Sequence, residues 1–271
     1  MPLYQVIILG IVQGLTEFLP ISSTAHLALA PWLFGWQDPG LTFDIALHVG
    51  TLLAVVVFFF RDWIQIIGQG AGLRAGSDPE LKRNRTMLWL LIAGSIPVGV
   101  IGLLFNKQAE STWRTPYVIG AMLIAIGIVM LMSERMGRRI KDIGLISGPD
   151  AAVIGFAQAL AIVPGVSRSG VTIAAGLFRD LDRQSAARFS FLLSTPAIAG
   201  AALVSLHNLL RHGGIPEEMK VPFIIGIAVS ALTGFLTIAF FLDFLRRRTL
   251  SFFIYYRIVF GIMVIALASF R

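Results

Sequence analysis

The chain has 271 residues, 56% of them hydrophobic and 14% charged, with mean hydropathy +0.81 and net charge +7. Soluble domains carry about 45–50% apolar and about 25% charged residues, so an ordinary globular protein is excluded and a polytopic membrane protein is indicated. Cysteine is absent, which excludes disulfides and Cys-based metal sites; the basic residues fall in short loops between apolar runs, as membrane topology rather than nucleic-acid binding requires.

The first apolar run, Leu3–Leu19, has no basic residues ahead of it, so it is expected to be retained rather than cleaved. It stops at Pro20, and Ser22–Phe34 follows. Next come three runs with the length of membrane spans, Leu41–Phe60, Met87–Phe105 and Tyr117–Met132. A second pair of short pieces, Ala151–Val163 and Ser169–Phe178, is separated by Pro164-Gly165. Three more spans close the chain, Phe189–Leu210, Val221–Leu242 and Phe252–Phe270. Thirteen residues of helix reach only about 20 Å, too short to cross about 30 Å of hydrocarbon. The short pairs are therefore expected to be re-entrant or broken helices, enclosed by protein or a watery cavity.

The expected fold is all-α and polytopic, with about ten helical segments: six full spans plus two broken pairs. The order suggests two repeats, 1–145 and 146–271, each a broken pair and three spans. At an offset of 145, Gly10, Gln13, Leu15 and Ser22 meet Gly155, Gln158, Leu160 and Ser167; at 146, Phe43 and Leu47 meet Phe189 and Leu193. An odd number of spans per half would invert one repeat relative to the other, as in many transporters. One side of the expected topology carries Arg61, Arg74, Lys82, Arg83, Arg85, Arg135, Arg138, Arg139, Lys141, Arg179, Arg183 and Arg246–Arg248. The other carries only Lys107, Arg114, Arg211, Lys220 and Arg271. The first side is expected in the cytoplasm and both termini outside. The two tips would then enter from opposite faces and meet.

The first tip concentrates polar chemistry. A carboxylate in an apolar run is expensive, so Glu17 is a functional candidate; its bland role is bracing the Pro20 turn. Gln13 lies one helical turn earlier on the same face. Ser22, Ser23 and Thr24 open the next helix, where they are either ordinary caps or part of an anion site made with the free N–H groups and the helix dipole. His26 shares a face with Ser23. At the second tip, Ser167 or Ser169 caps a helix and Arg168 offers a fork of donors suited to phosphate, with Thr172 one turn on. The partner of Arg168 is either Glu17, as a structural ion pair, or a substrate phosphate. Asp44 and His48 are one turn apart and would line the mouth of a cavity. Arg257 is read as structural, snorkelling or paired with Asp243.

The run Gln13-Gly14-Leu15-Thr16-Glu17-Phe18-Leu19-Pro20-Ile21-Ser22-Ser23-Thr24-Ala25-His26 resembles the bacterial undecaprenyl-diphosphate phosphatase family of the bacitracin-resistance type, as do Phe43–Thr51 and Pro164–Thr172. The resemblance spans essentially the whole chain. It implies a multi-pass enzyme of the bacterial inner membrane that removes the terminal phosphate of a C55 isoprenyl diphosphate and recycles the carrier for peptidoglycan. The family's first motif begins with Glu or Gln, then Glu four residues on; Gln13 and Glu17 give the single-carboxylate version. The signature of the acid-phosphatase-like lipid phosphatases is not found.

On this reading Glu17, Ser23, His26 and Arg168 are the expected catalytic residues. Gln13, Ser22, Thr24, Ser167, Ser169 and Thr172 are expected to bind substrate. Ser23 would be the nucleophile and Glu17 its base or orienting group, with His26 binding phosphate or relaying a proton. In a rival version Glu17, helped by Gln13, holds Mg²⁺ or Ca²⁺ that activates water. No organic cofactor and no nucleic acid are expected; membrane lipids and the isoprenyl diphosphate are the expected partners, and a homodimer is permitted by the Gly-rich spans. The site would open outward. The competing class is a carrier that flips the lipid.

Overall fold

The computed structural model describes residues 1–110, 112–211 and 214–270. Arg271 and the side chain of Lys107, both used in the loop-charge comparison, lie outside the described residues. The described chain is helical throughout: α1 (Leu3–Phe18), α2 (Ser23–Phe34), α3 (Leu41–Phe58), α4 (Phe60–Gly70), α5 (Pro79–Arg83), α6 (Met87–Glu110), α7 (Pro116–Met136), α8 (Gly148–Ala159), α9 (Arg168–Phe178), α10 (Arg183–Arg211), α11 (Glu217–Arg247) and α12 (Ser251–Ser269). Short 3-10 turns cover Ile143–Leu145 and Leu160–Ile162.

Local chemistry sets these boundaries. Pro116 occupies the first turn of α7 and the Thr115 hydroxyl accepts from Val118 N. Ser147 and Asp150 form a reciprocal capping box at α8. Five helices, α6, α7, α10, α11 and α12, are long and apolar enough to cross a membrane. The sixth expected span, Leu41–Phe60, differs from expectation: its helix ends at Phe58 and the chain bends 74° into α4. The reason lies in Arg61 and Asp62, which end the apolar run and leave α4 amphipathic. Helices α4 and α5 raise the total above the expected ten segments. The 31-residue α11 is about 46 Å long, so it overshoots a hydrocarbon layer and ends in charged turns at Glu217–Glu218 and Arg246–Arg247.

Small residues let backbones approach closely. A methyl group added to Gly155 of α8 would lie 2.4 Å from Gly94 O of α6, so only glycine fits that crossing. A long apolar cluster fills the centre, and a small separate cluster of Ala25, Leu29, Ile119, Leu123 and Val264 joins α2 to α7 and α12. These contacts bring the α1–α2 turn against the α8–α9 turn.

Candidate active site

The two turns share one backbone solution. After Pro20, Ser22 takes φ 78° and ψ 97° and its hydroxyl accepts from Ala25 N, starting α2. After Pro164 and Gly165, Ser167 takes φ 68° and ψ 108° and its hydroxyl accepts from Gly170 N at 3.1 Å, starting α9. A serine at positive φ is strained by about 1–3 kcal/mol. That it occurs twice, in the same place relative to a helix start, means the surroundings enforce it. Gly165, at φ 94°, has no room for a side chain, because a Cβ would lie 2.6 Å from Ile119 O.

The tips touch. Arg168 Nη2 donates to Glu17 Oε1 at 2.7 Å, and Ser169 Oγ donates to Leu19 O at 3.2 Å. Glu17 is 6% exposed, so this ion pair is largely desolvated. Its second oxygen accepts from Ser23 Oγ at 2.6 Å and from Gln13 Nε2 at 3.1 Å. The carboxylate therefore binds a guanidinium from one tip and a hydroxyl from the other. This is the arrangement an activated serine needs, with base and nucleophile in hydrogen-bond contact. The first turns of α2 and α9 open beside the pair and bring N–H groups and two positive dipole ends to it.

The remaining expected residues divide. Ser22 Oγ and Thr24 Oγ1 are 3.2 Å apart, and Thr24 is exposed. Ser167 Oγ and Ser169 Oγ are 3.3 Å apart within the second tip. Thr172 faces away from Glu17: its hydroxyl donates to Arg168 O at 2.7 Å and lies 2.6 Å from Ser190 Oγ, tying α9 to α10. His26 does not engage Glu17 or Ser23. Its Nδ1 lies 2.8 Å from Ser22 O and its Nε2 2.7 Å from Tyr256 Oη.

Two residues enter the site that the sequence did not put there, His48 and Thr51. His48 was expected at a cavity mouth, yet its Nε2 is 3.4 Å from Glu17 Oε2. Asp44, one turn earlier, does not reach Glu17 and pairs with Arg114 at 3.0 Å. Thr51 receives a long bond from Gln13 Nε2, at 3.4 Å. The spacing of Asp44, His48 and Thr51, one turn each along α3, is the signal that could have found this stripe.

Arg257 is structural, as expected, but by a different route. It neither snorkels nor meets Asp243, which pairs loosely with Arg246 instead. It is 0% exposed and has no carboxylate partner; its five donors go to Leu123 O, Pro20 O, Met130 Sδ, Gly165 O and Val166 O. It thus ties the backbones of both tips to α7 from behind. The reason is its place on α12, which packs against α7 in the core. With Glu17 facing Arg168 and Arg257 uncompensated behind the two tips, their junction carries net positive charge, which suits a multiply charged anion.

A metal would find few donors. Among the described residues no group of three His, Cys, Asp or Glu side chains converges. The buried Gln13 Oε1 has no hydrogen-bond partner and is the one spare oxygen beside Glu17. Such a set fits only an ion completed by substrate phosphates and water.

Comparison with known proteins finds relatives across nearly the whole chain. Residues 6–263 match the family model of BacA, described as bacitracin resistance protein BacA. A protein named undecaprenyl-diphosphatase from Pelotomaculum thermopropionicum is 48% identical over 271 residues, covering 100% of this chain and 98% of that one. Proteins of the same name from Moorella thermoacetica and Thermodesulfovibrio yellowstonii are each 47% identical, over 98% and 99% of this chain and 98% of their own lengths.

Proposed function

The chain belongs to the bacitracin resistance protein BacA family, and from that membership together with its pocket we propose that it is a multi-pass membrane undecaprenyl-diphosphatase. It hydrolyses undecaprenyl diphosphate to the monophosphate and phosphate, which returns the lipid carrier to cell-wall synthesis. The observation that carries the chemistry is the junction of Glu17 with Ser23 on one oxygen and Arg168 on the other.

The terminal phosphate of the substrate sits at the starts of α2 and α9, against Arg168. Ser23 Oγ attacks that phosphorus as its proton passes to Glu17 Oε2. The new P–Oγ bond forms while the bond to the bridging oxygen breaks, and the isoprenyl monophosphate leaves with the proton from Glu17, which restores the carboxylate. Water then attacks the phosphoserine, giving a proton to the carboxylate; the P–Oγ bond breaks and Ser23 recovers its proton. Positive charge from Arg168 and the helix starts stabilises both transition states, where positioning and electrostatics supply most of the catalysis.

A second reading is favoured by the spare Gln13 Oε1. There, Glu17 and Gln13 would hold a Mg²⁺ or Ca²⁺, which would supply an activated water as the attacking group. The carrier reading gains no support from the comparisons. The excess of basic residues in the loops of one side supports a topology with both termini outside and the site opening outward. Phosphate release in detergent from an isoprenyl diphosphate tests the assignment. Ser23→Ala is expected to lose at least about 10³-fold in kcat, by removal of the nucleophile. Full activity of Ser23→Ala, lost on chelation and restored by divalent metal, would select the second reading.

A further inference from the structure

Three near-parallel aromatic rings cluster where the first tip meets the outer face of α12. The His26 imidazole stacks on Phe260 with centroids 4.9 Å apart and planes 15° off parallel. It stacks on Tyr256 at 5.8 Å and 12°, and Tyr256 and Phe260 stack at 5.7 Å and 18°. His26 lies one turn beyond Ser23, whereas Tyr256 is 37% exposed on the outer face of α12. A carbonyl can only accept, so His26 Nδ1 donates to Ser22 O and the Tyr256 hydroxyl donates to Nε2. The cluster is therefore pinned by the His26–Tyr256 bond, with the Tyr256 ring reaching the exposed face and the half-buried Phe260 ring lying against the apolar cluster beneath.

The substrate imposes a geometric demand on the pocket. Its diphosphate must reach Arg168 and Ser23 while its hydrocarbon tail stays among lipids, so one rim must join a polar floor to an apolar outside. The α1 and α3 rim is closed by α11, where a Cβ on Gly14 would lie 2.6 Å from Thr233 and one on Gly50 2.4 Å from Ile227 O. The α9 rim is sealed by α10 through Thr172 and Ser190. Between α2 and α12 the join is made by side chains, the small cluster of Ala25, Leu29 and Val264 and the aromatic stack.

We propose that the α2–α12 seam is the tail exit, with Tyr256 and Phe260 forming the seat for the first isoprene units. Flat rings offer a rigid apolar face to the flat, unsaturated segments of an isoprenoid, and the imidazole marks the point where the tail gives way to the headgroup. This inference rests on the phosphatase reading above and assigns to it the route and the tail-binding residues.

The test is a substrate-length comparison in detergent, using a C15 and a C5 isoprenyl diphosphate. Phe260→Ala is expected to lower the C15-over-C5 preference in kcat/KM about ten-fold, the size of losing burial against one aromatic ring. An unchanged preference would overturn the seam. Wild type releasing no phosphate, or Glu17→Gln as active as wild type, would instead sink the phosphatase reading beneath it. If Phe260→Ala does not fold, wild-type protein decides: a photoactivatable C15 diphosphate should label the segment Ser251–Ser269, and labelling confined to other helices would refute the proposal.

Discussion

The two tips use the same backbone for different work. Each is a proline-broken turn ending in a serine at positive φ that caps the following helix. The first carries the acid at the end of α1, and the candidate nucleophile and an imidazole on α2, which a small cluster holds to α7 and α12. The second carries the guanidinium, on a helix buried from Ser169 to Leu177 and bonded to α10. The difference teaches that one backbone device serves two charges: the acid and hydroxyl lie deepest, Glu17 and Ser23 both buried, while the Arg168 side chain beside them is the more exposed and is the one left to meet an anion.

The sharpest way to break this division is to change the charged residue of each tip. Glu17→Gln keeps the shape but removes the base, and we expect about a 10³-fold loss in kcat with little change in KM. Arg168→Lys keeps the charge but loses the planar fork, and we expect its main effect in KM. Steady-state kinetics on both variants decide the matter. If the two substitutions alter kcat and KM in the same proportion, the tips do not divide binding from chemistry.

The next test strikes both tips together. Arg257→Met removes the donors to Pro20 O, Gly165 O and Val166 O as well as Leu123 O. Each buried carbonyl left without a donor costs about 1–3 kcal/mol, so the loss is a large part of the about 5–15 kcal/mol that holds a domain folded. A fall in melting temperature in detergent accompanied by loss of hydrolysis is expected. A variant as stable as wild type would show that the tips hold their conformation unaided.

Much of this was legible in the sequence, and the reason is local. Pro20, Pro164-Gly165 and the serines after them are punctuation whose conformational effect reaches only a few residues, so the broken pairs fall within a few residues of the expected ranges. Length against hydrocarbon thickness identified five spans. What escaped depends on distance along the chain. Arg257 reaches Pro20 across 237 positions, and His48 faces Glu17 only because α3 packs beside α1. No periodicity within α12 reveals that its arginine will meet carbonyls instead of a carboxylate. The bend after Phe58 escaped because it contains neither proline nor glycine; the polarity of Arg61 and Asp62 was the available cue.

A smaller effect tests whether the common backbone is common in energy. Ser22→Ala and Ser167→Ala each remove a cap while keeping the strained φ, and about 1 kcal/mol of stability should be lost in each case. Thermal denaturation of the two variants side by side gives the comparison. The shared-geometry account fails if one cap proves worth several times the other.

The smallest expected effect concerns a pair of glutamines in corresponding places before the two tips. Gln13 bonds to Glu17 and Thr51, whereas both amide atoms of Gln158 are buried without a partner. A buried amide that makes no bond contributes nothing to offset its desolvation, so Gln158→Leu should be neutral or slightly stabilising. Gln13→Leu, by contrast, withdraws a donor from the catalytic carboxylate and should lower kcat several-fold. Melting temperature for the first variant and phosphate release for the second supply the readings. Should Gln158→Leu prove markedly destabilising, its amide has a partner such as an internal water, and the second tip carries a polar network of its own in place of an apolar anchor.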